Sequence, residues 1–201
     1  MLRAGLIGLV AFGLFASSAF PQEKSEPKTK NVKIVHVETG KVLSVADNSM
    51  DDEAAAVLVK DEPVKDSKDT AQAKKAKATS WKLEKDGEHW KIMNRNSGKV
   101  LDVSGFSNDE GTIIIQYGDK TDEDNSNQRW AWVEIKSEDA KPADAPKADA
   151  AKSSDKPAPT GRIKSKSSSL VLDADSDGTI VQRSANSKAK SQIWQIVEIK
   201  E

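Results

Sequence analysis

The chain has 201 residues, of which 31 are basic and 32 acidic, so its formal net charge is -1 at neutral pH. The two signs of charge are mixed along the sequence, and this distribution disfavours the basic stripe that nucleic-acid binding needs. Cysteine is absent, which excludes disulfides, thiolate metal ligands, a cysteine nucleophile and a lipid-modified cysteine.

The first nineteen residues have the pattern of a secretory signal peptide. Arg3 supplies a positive charge, residues 4–15 form an apolar run, and Ser17 and Ala19 are small residues at a spacing typical of a cleavage site. An uncleaved membrane anchor is the alternative, although the apolar run is short for a membrane span. We expect a secreted, periplasmic or otherwise extracytoplasmic protein, with no membrane contact after cleavage. Residues 20–30, charged and proline-containing, are predicted to be a disordered tether.

The remainder repeats one pattern three times, which is decisive for the fold. Repeat two (88–135) is the clearest copy, with the segments "IMNRNSGKVLDVSG", "GTIIIQY" and "NQRWAWVEI". Repeat one (31–85) has "IVHVETGKVLSVAD", "AAAVLV" and "SWKLEK". Repeat three (161–200) has "RIKSKSSSLVLDAD", "GTIVQ" and "SQIWQIVEI".

Each repeat contains four short strand-like segments bounded by turn-forming Gly, Asn, Ser or Asp. The predicted strands are 33–37, 42–45, 55–59 and 81–83, then 91–94, 100–103, 113–117 and 130–135, then 162–165, 171–174, 180–182 and 194–199. No segment of the repeats has a long apolar face of helical period. Twelve short strands in three groups of four predict an all-β fold, a β-trefoil, in which hairpins cap a barrel.

Two low-complexity fillers interrupt the repeats, at 61–78 and 136–160. Both are rich in Lys, Asp and Ala, and they contain too little apolar surface to offset the entropy of ordering them. We expect disorder or a loosely held loop in both. A charged helix is the alternative for 61–78.

One tryptophan stands near the end of each repeat, at Trp81, Trp130 and Trp194. Three indoles offer a large area for a shared core, and each buried N–H needs a hydrogen-bond acceptor. We predict that these residues form the structural core, together with the equivalent inward leucines at 43, 101 and 172.

The tryptophans belong to a recognisable motif. "QRW" at 128–130 and "QIW" at 192–194, with "GKVLDV" at 98–103 and "GT" at 111–112, resemble the ricin B-chain type lectin repeat, whose signature is Gln-x-Trp. The first repeat has only "TSW" at 79–81. The resemblance covers about residues 31–200 apart from the fillers, and it implies a β-trefoil lectin.

The resemblance also implies a sugar site in repeat two. In the family, an Asp on the second strand and an Asn near Gln-x-Trp bond sugar hydroxyls, while an aromatic ring at the end of the third strand stacks on the C–H face. Asp102, Tyr117 and Asn127 match these positions, with Gln128 beside them. Ile115 replaces a family Gln.

Repeats one and three match the family's site pattern less well. Repeat three keeps Asp173 and Gln182, but Ser184 stands where we expect the aromatic residue and Ser191 where we expect the Asn. Repeat one has Ser44 in place of the Asp, and we interpret it as structural only.

Structural interpretations compete with these binding roles. Either Asp can cap a turn through nearby backbone N–H groups, and Asn127 can be a turn residue. Gln128 and Gln192 are more often structural, bridging strand backbones beside the Trp. Phe106 either stacks on a ligand or closes the barrel.

Catalytic motifs are missing from the sequence. It has no nucleophile elbow, phosphate loop or zinc signature, and its two histidines, His36 and His89, are not equivalent in the repeats. The carboxylates at 47–53 and 119–124 are interpreted as solvated loops rather than calcium or glycosidase sites.

We therefore expect no enzyme, metal or cofactor, and glycans or glycoconjugates as partners, with oligomers supplying avidity. The alternative is a β-trefoil that has lost its sugar sites and serves as a protein-interaction or inhibitor scaffold.

Overall fold

The computed structural model describes residues 29–62, 70–121, 124–135 and 158–199. The predicted signal peptide, almost all of the tether and nearly all of the second filler lie outside these residues. Among the residues that are described, no helix has the length and apolar character needed to cross a membrane.

Short antiparallel strands dominate the structure, and they alternate with tight turns. They are β1 (Lys30–His36), β2 (Val42–Val45), β3 (Ala56–Val59), β4 (Trp81–Asp86), β5 (His89–Asn94), β6 (Val100–Val103), β7 (Ile114–Tyr117), β8 (Trp130–Glu134), β9 (Thr160–Ser165), β10 (Val171–Ala174), β11 (Ile180–Arg183) and β12 (Trp194–Glu198). The predicted second strands agree with β2, β6 and β10 at both ends, and the others differ by one to three residues at an end.

The first and fourth strands of the three repeats form a closed six-stranded barrel. Pairing runs from β1 to β4, β5, β8, β9 and β12, and then returns to β1. Closure leaves no open edge among these six strands.

The second and third strands form three hairpins, β2–β3, β6–β7 and β10–β11, that cap one end of the barrel. Each hairpin pairs with the first strand of its own repeat. Isolated bridges link the hairpins to one another, at Ala55↔Ile115, Val57↔Thr179 and Ile113↔Val181. This arrangement is a β-trefoil and confirms the predicted fold.

The tryptophan core is also confirmed. Trp81, Trp130 and Trp194 are buried, and each indole N–H donates to the backbone carbonyl of the leucine at position 43, 101 or 172, at 2.9, 3.1 and 3.2 Å. Each tryptophan therefore fixes the second strand of its own repeat.

The first filler departs from our expectation, because residues 70–78 form helix α1 (Thr70–Ala78). Its Ala, Gln and Lys residues are good helix formers. Its end is docked: the carbonyl of buried Ala78 accepts bonds from Asn94 Nδ2 at 2.8 Å and Ser44 Oγ at 3.3 Å. The loop prediction is therefore wrong for 70–78, where the alternative of a charged helix agrees with the structure, while 63–69 lie outside the described residues.

The first strand begins at the last residue of the predicted tether (20–30). β1 begins at Lys30, which pairs with Leu83 of β4 and forms an ion pair with Glu198.

Candidate functional site

The candidate site of repeat two lies where the β6–β7 hairpin meets the barrel. Asp102 lies on β6, Tyr117 is the last residue of β7, and Asn127 lies in a 3₁₀ turn just before β8. Register pairs Val100 with Tyr117, so β6 and β7 hold the predicted carboxylate and ring on one hairpin.

Asp102 is buried, with 2% of the residue exposed, and forms the floor of the site. Its Oδ1 accepts a bond from Asn127 Nδ2 and its Oδ2 accepts one from Gln128 Nε2, both at 2.8 Å. Burial raises the pKa of Asp102, although bonds from Gln128, Lys120 and Asn127 act in the opposite direction. The structure thus brings three of the predicted site residues together by direct hydrogen bonds.

Gln128 connects three elements of repeat two. Besides its bond to Asp102, its Nε2 donates to the Gly118 carbonyl at 2.8 Å, and its Oε1 accepts the backbone N–H of Lys120 at 2.8 Å. Because Gln128 is fully buried, these contacts match the structural interpretation: it orients Asp102 and fixes the chain after β7.

Tyr117 and Phe106 border the partly open side of the site. Between them lies the ammonium group of Lys120, with Nζ 5.6 Å from the Tyr117 ring centroid and 5.7 Å from the Phe106 ring centroid. The same nitrogen lies 3.5 Å from Asp102 Oδ2 and donates to Asn127 Oδ1 at 3.4 Å. Phe106 therefore lies beside the site rather than in the core.

Sequence reasoning missed Lys120. One lysine among 31 basic residues carries no motif signal, and only the folded loop after β7 directs its side chain to Asp102.

Repeat three has the same backbone frame around Asp173. Gln192 Nε2 donates to Asp173 Oδ2 and to the Ser184 carbonyl, both at 2.9 Å, and Gln192 Oε1 accepts the Asn186 N–H at 2.8 Å. Gln192 is thus the structural equivalent of Gln128.

The aromatic position of repeat three needs a correction. Register pairs Val171 with Arg183, as it pairs Val100 with Tyr117, so the equivalent of the tyrosine is Arg183 and not Ser184. The sequence alone did not determine which residue of β11 pairs with Val171 of β10.

Arg183 forms an ion pair with the site carboxylate of repeat three, Asp173. Its Nη1 lies 3.7 Å from Asp173 Oδ2, and its Nη2 donates to Asp175 Oδ1 at 2.7 Å. Because Arg183 replaces the ring and Ser191 replaces the amide, Asp173 lies in an ion-paired cluster without the stacking group that a sugar needs.

The side chain of Gln182 forms its hydrogen bonds away from the Asp173 carboxylate. It is fully buried, its Nε2 donates to the carbonyls of Ser107 at 3.0 Å and Asp109 at 2.9 Å, and its Oε1 accepts the Ser168 hydroxyl at 2.7 Å. The Gln182 amide therefore connects repeats two and three. It is not available for the predicted sugar contact, because its nitrogen and its oxygen already form hydrogen bonds with other groups of the protein.

At the equivalent described positions, repeat one has neither the carboxylate nor the ring of the site. Ser44 donates to the Ala78 carbonyl at 3.3 Å, and Val59 pairs with Val42 where the other repeats have Tyr117 and Arg183. Its interpretation as a structural repeat agrees with these contacts. In the part of the chain that the structure describes, no group of three or more His, Asp and Glu side chains is placed to hold a metal ion.

Solved structures with the same fold are numerous, with 242 matching chains. The designed threefold-symmetric protein ThreeFoil is 23% identical, with a TM-score of 0.61, and the match covers 84% of this chain and 99% of that one. The exo-beta-1,3-galactanase 1,3Gal43A from Clostridium thermocellum is 24% identical, with a TM-score of 0.61, covering 85% of this chain and 30% of that one.

A third structure is the Polyporus squamosus lectin bound to the epitope Neu5Aca2-6Galb1-4GlcNAc. It is 18% identical, with a TM-score of 0.60, and the match covers 86% of this chain and 50% of that one. The chain thus spans about a third of the galactanase and half of the lectin. All three likenesses are below 25% identity and show the fold.

A family model described as "Ricin-type beta-trefoil lectin domain-like" matches residues 20–117 and 77–141, which together span more than half of the chain. Comparison with curated proteins finds no match. The site geometry, the tryptophan core and the family match agree: this chain belongs to the ricin-type β-trefoil lectin domain-like family.

Proposed function

We propose that the protein is an exported carbohydrate-binding module that binds a sugar through repeat two. One observation carries the proposal: among the residues that the structure describes, only repeat two combines a buried carboxylate, a neighbouring amide and bordering aromatic rings. Asp102, Asn127 and Tyr117 supply these groups.

The chemistry of binding follows from the positions of these groups. Asp102 and Asn127 offer hydrogen bonds to sugar hydroxyls, and Tyr117 offers a ring face for the C–H side of a sugar, with Phe106 beside it. Gln128 keeps Asp102 in place. A shallow site of this kind supports weak monovalent binding, from millimolar to high micromolar, which corresponds to roughly −4 to −6 kcal/mol.

A second candidate is a scaffold that binds another protein after losing its sugar sites. The ion pair of Arg183 with Asp173 and the replacement of the carboxylate by Ser44 favour it, because two of the three equivalent sites lack the sugar-binding set. Fold alone does not decide between the two functions.

A glycan array followed by titration calorimetry separates these functions, and the informative variant is Tyr117→Ala. Tyr117 is only partly buried, so its loss leaves the core intact. We expect the variant to bind a selected glycan roughly tenfold more weakly, because a stacking face is lost. Arg183→Ala, at the equivalent position of repeat three, is the matched control and should bind as wild type does.

Two results would reject the proposal. If wild type binds no glycan on the array, the scaffold function is favoured. If Tyr117→Ala and wild type bind with equal affinity, repeat two is not the site. N-terminal sequencing of exported protein tests the signal peptide separately, with a start near residue 20 expected.

A further inference from the structure

The space that a ligand would enter in repeat two is already filled by an ammonium group. Lys120 Nζ lies within 6 Å of the Tyr117 and Phe106 ring centroids and within 4 Å of the Asp102 carboxylate and the Asn127 carbonyl oxygen. Any sugar that reaches Asp102 therefore has to displace this side chain.

The groups around Lys120 Nζ are those that recognise an organic cation. Aromatic rings attract ammonium groups through their electron-rich faces, and a carboxylate together with an amide oxygen completes the set of acceptors. Lys120 thus shows by its own position that an alkylammonium fits between Asp102 and the two rings.

Displacement of Lys120 needs no change in the backbone. Its N–H stays bonded to Gln128 Oε1 at 2.8 Å, while about a third of its side chain is already exposed. Both contacts of Nζ, at 3.5 and 3.4 Å, are longer than a strong charge-assisted bond. The side chain can therefore move into water while the site keeps its shape.

The charge of the incoming ligand decides the consequence of this displacement. A neutral sugar leaves the buried Asp102 carboxylate without its cation, which is unfavourable for a buried charge. An acidic sugar adds like-charge repulsion. A sugar that carries its own ammonium group replaces the charge of Lys120 and restores the pair.

We infer that the repeat-two site selects glycans that carry a hexosamine with an unsubstituted, protonated amino group, which takes the position of the Lys120 ammonium. This inference rests on the proposed carbohydrate binding through the same site. Lys120 is then a competing internal ligand that lowers affinity and makes neutral sugars poorer ligands than amino sugars.

The experiment compares sugars that differ only in this charge. The full chain is titrated with glucosamine and galactosamine, and with their N-acetyl forms, at neutral pH. Binding is followed by calorimetry and by the NMR signals of Tyr117, which is the one tyrosine of the sequence and borders the site. Lys120→Gln removes the internal ammonium, and Lys188→Gln, an exposed lysine of repeat three, is the matched control.

We expect an amino sugar to bind roughly fivefold more tightly than its N-acetyl form, the size of a modest cation–π and charge contribution. Lys120→Gln should strengthen amino-sugar binding by at least about threefold, and Lys188→Gln should have no effect. If N-acetyl and amino forms shift Tyr117 equally, or if Lys120→Gln leaves affinity unchanged, the inference is overturned while sugar binding stands. If no sugar shifts Tyr117 in either protein and the glycan array is also blank, the proposed function fails as well.

Discussion

Three equivalent corners of the fold carry three different buried polar residues, His36, Asn94 and Ser165. At each corner the backbone N–H donates to the carbonyl five residues later, at 2.8 Å in every repeat. The Asn94 amide donates to Ala78, whereas His36 Nδ1 lies 2.9 Å from Thr39 Oγ1. The backbone is therefore repeated while the side-chain chemistry is specific to each repeat.

We expect His36 to make the stability of the fold sensitive to acid. Burial lowers its pKa, and Lys41 adds to this effect, while the Ser191 backbone and the carboxylates of Glu38 and Asp173 act in the opposite direction. Below an ordinary histidine pKa of about 6.5, the unfolded chain takes up a proton that the folded protein resists. Since the unfolded state then binds more protons, the contribution of His36 to stability is fully present above this pH and is lost as the pH falls from there through the lowered pKa of folded His36.

We predict that His36→Asn, which copies the residue of repeat two, weakens this acid sensitivity. Urea unfolding at pH 7.5 and 5.5 measures it: the free energy of unfolding should fall less between these pH values in the variant than in wild type. His89→Asn serves as the control because His89 lies partly exposed at the start of β5. Equal pH dependence in His36→Asn and wild type would contradict the assignment.

The hairpins are held by glutamines of the following repeat. Gln116 Nε2 donates to the carbonyls of Ser49 at 3.0 Å and Asp51 at 2.8 Å, as Gln182 does to the loop of repeat two. Repeat one has Leu58 at this position, since Leu58 pairs with Leu43 as Gln116 pairs with Leu101. At two of the three junctions between neighbouring hairpins, one buried amide thus adds side-chain hydrogen bonds to the backbone bridge.

We predict that Gln182→Leu, which copies Leu58, lowers the free energy of unfolding by roughly 1–3 kcal/mol, because the carbonyls of Ser107 and Asp109 lose their shared donor. Equilibrium urea unfolding gives the value. Gln195→Leu is the control, since Gln195 is partly exposed and its side chain donates to the Ala158 carbonyl at 3.1 Å. A loss no larger than that of the control would show that the amide does not hold the hairpin.

At the scale of the molecule, the barrel makes the three repeats interdependent. β12 pairs with β1 over five residue pairs, so the last strand closes a circuit with the first. Each repeat contributes two of the six barrel strands, and one tryptophan from each enters a common core. We therefore expect the described fold to unfold as one cooperative unit.

Trp130→Ala tests this core. We predict that it lowers the free energy of unfolding by about 3–5 kcal/mol, because a large cavity forms and the Leu101 carbonyl loses its donor. The midpoint of urea unfolding, followed by circular dichroism, reports the change. Trp132→Ala removes a partly buried indole from the same strand and should cost less. An unchanged midpoint for Trp130→Ala would rule out its central role.

Much of the fold is encoded in the sequence as repetition. The three tryptophans, the paired leucines and the short segments between turn residues predict a β-trefoil, because identical local patterns bury identical surfaces around one axis. The same repetition places Asp102, Asn127 and Tyr117 in one repeat, and the structure brings the first two into direct contact. Helix α1 was harder to predict because its order depends on docking of Ala78 rather than on an apolar face.

The contents of the sites were decided by tertiary structure. Register assigns Arg183 to the position of Tyr117, and it directs the Gln182 amide into the neighbouring repeat. The loop after β7 places the Lys120 ammonium beside Asp102, and no local sequence pattern predicts this contact. Sequence alone determined which surfaces are buried, because burial follows the repeated apolar pattern. Which side chain fills a given site depends on strand register and loop path, and these are fixed only when the whole barrel closes.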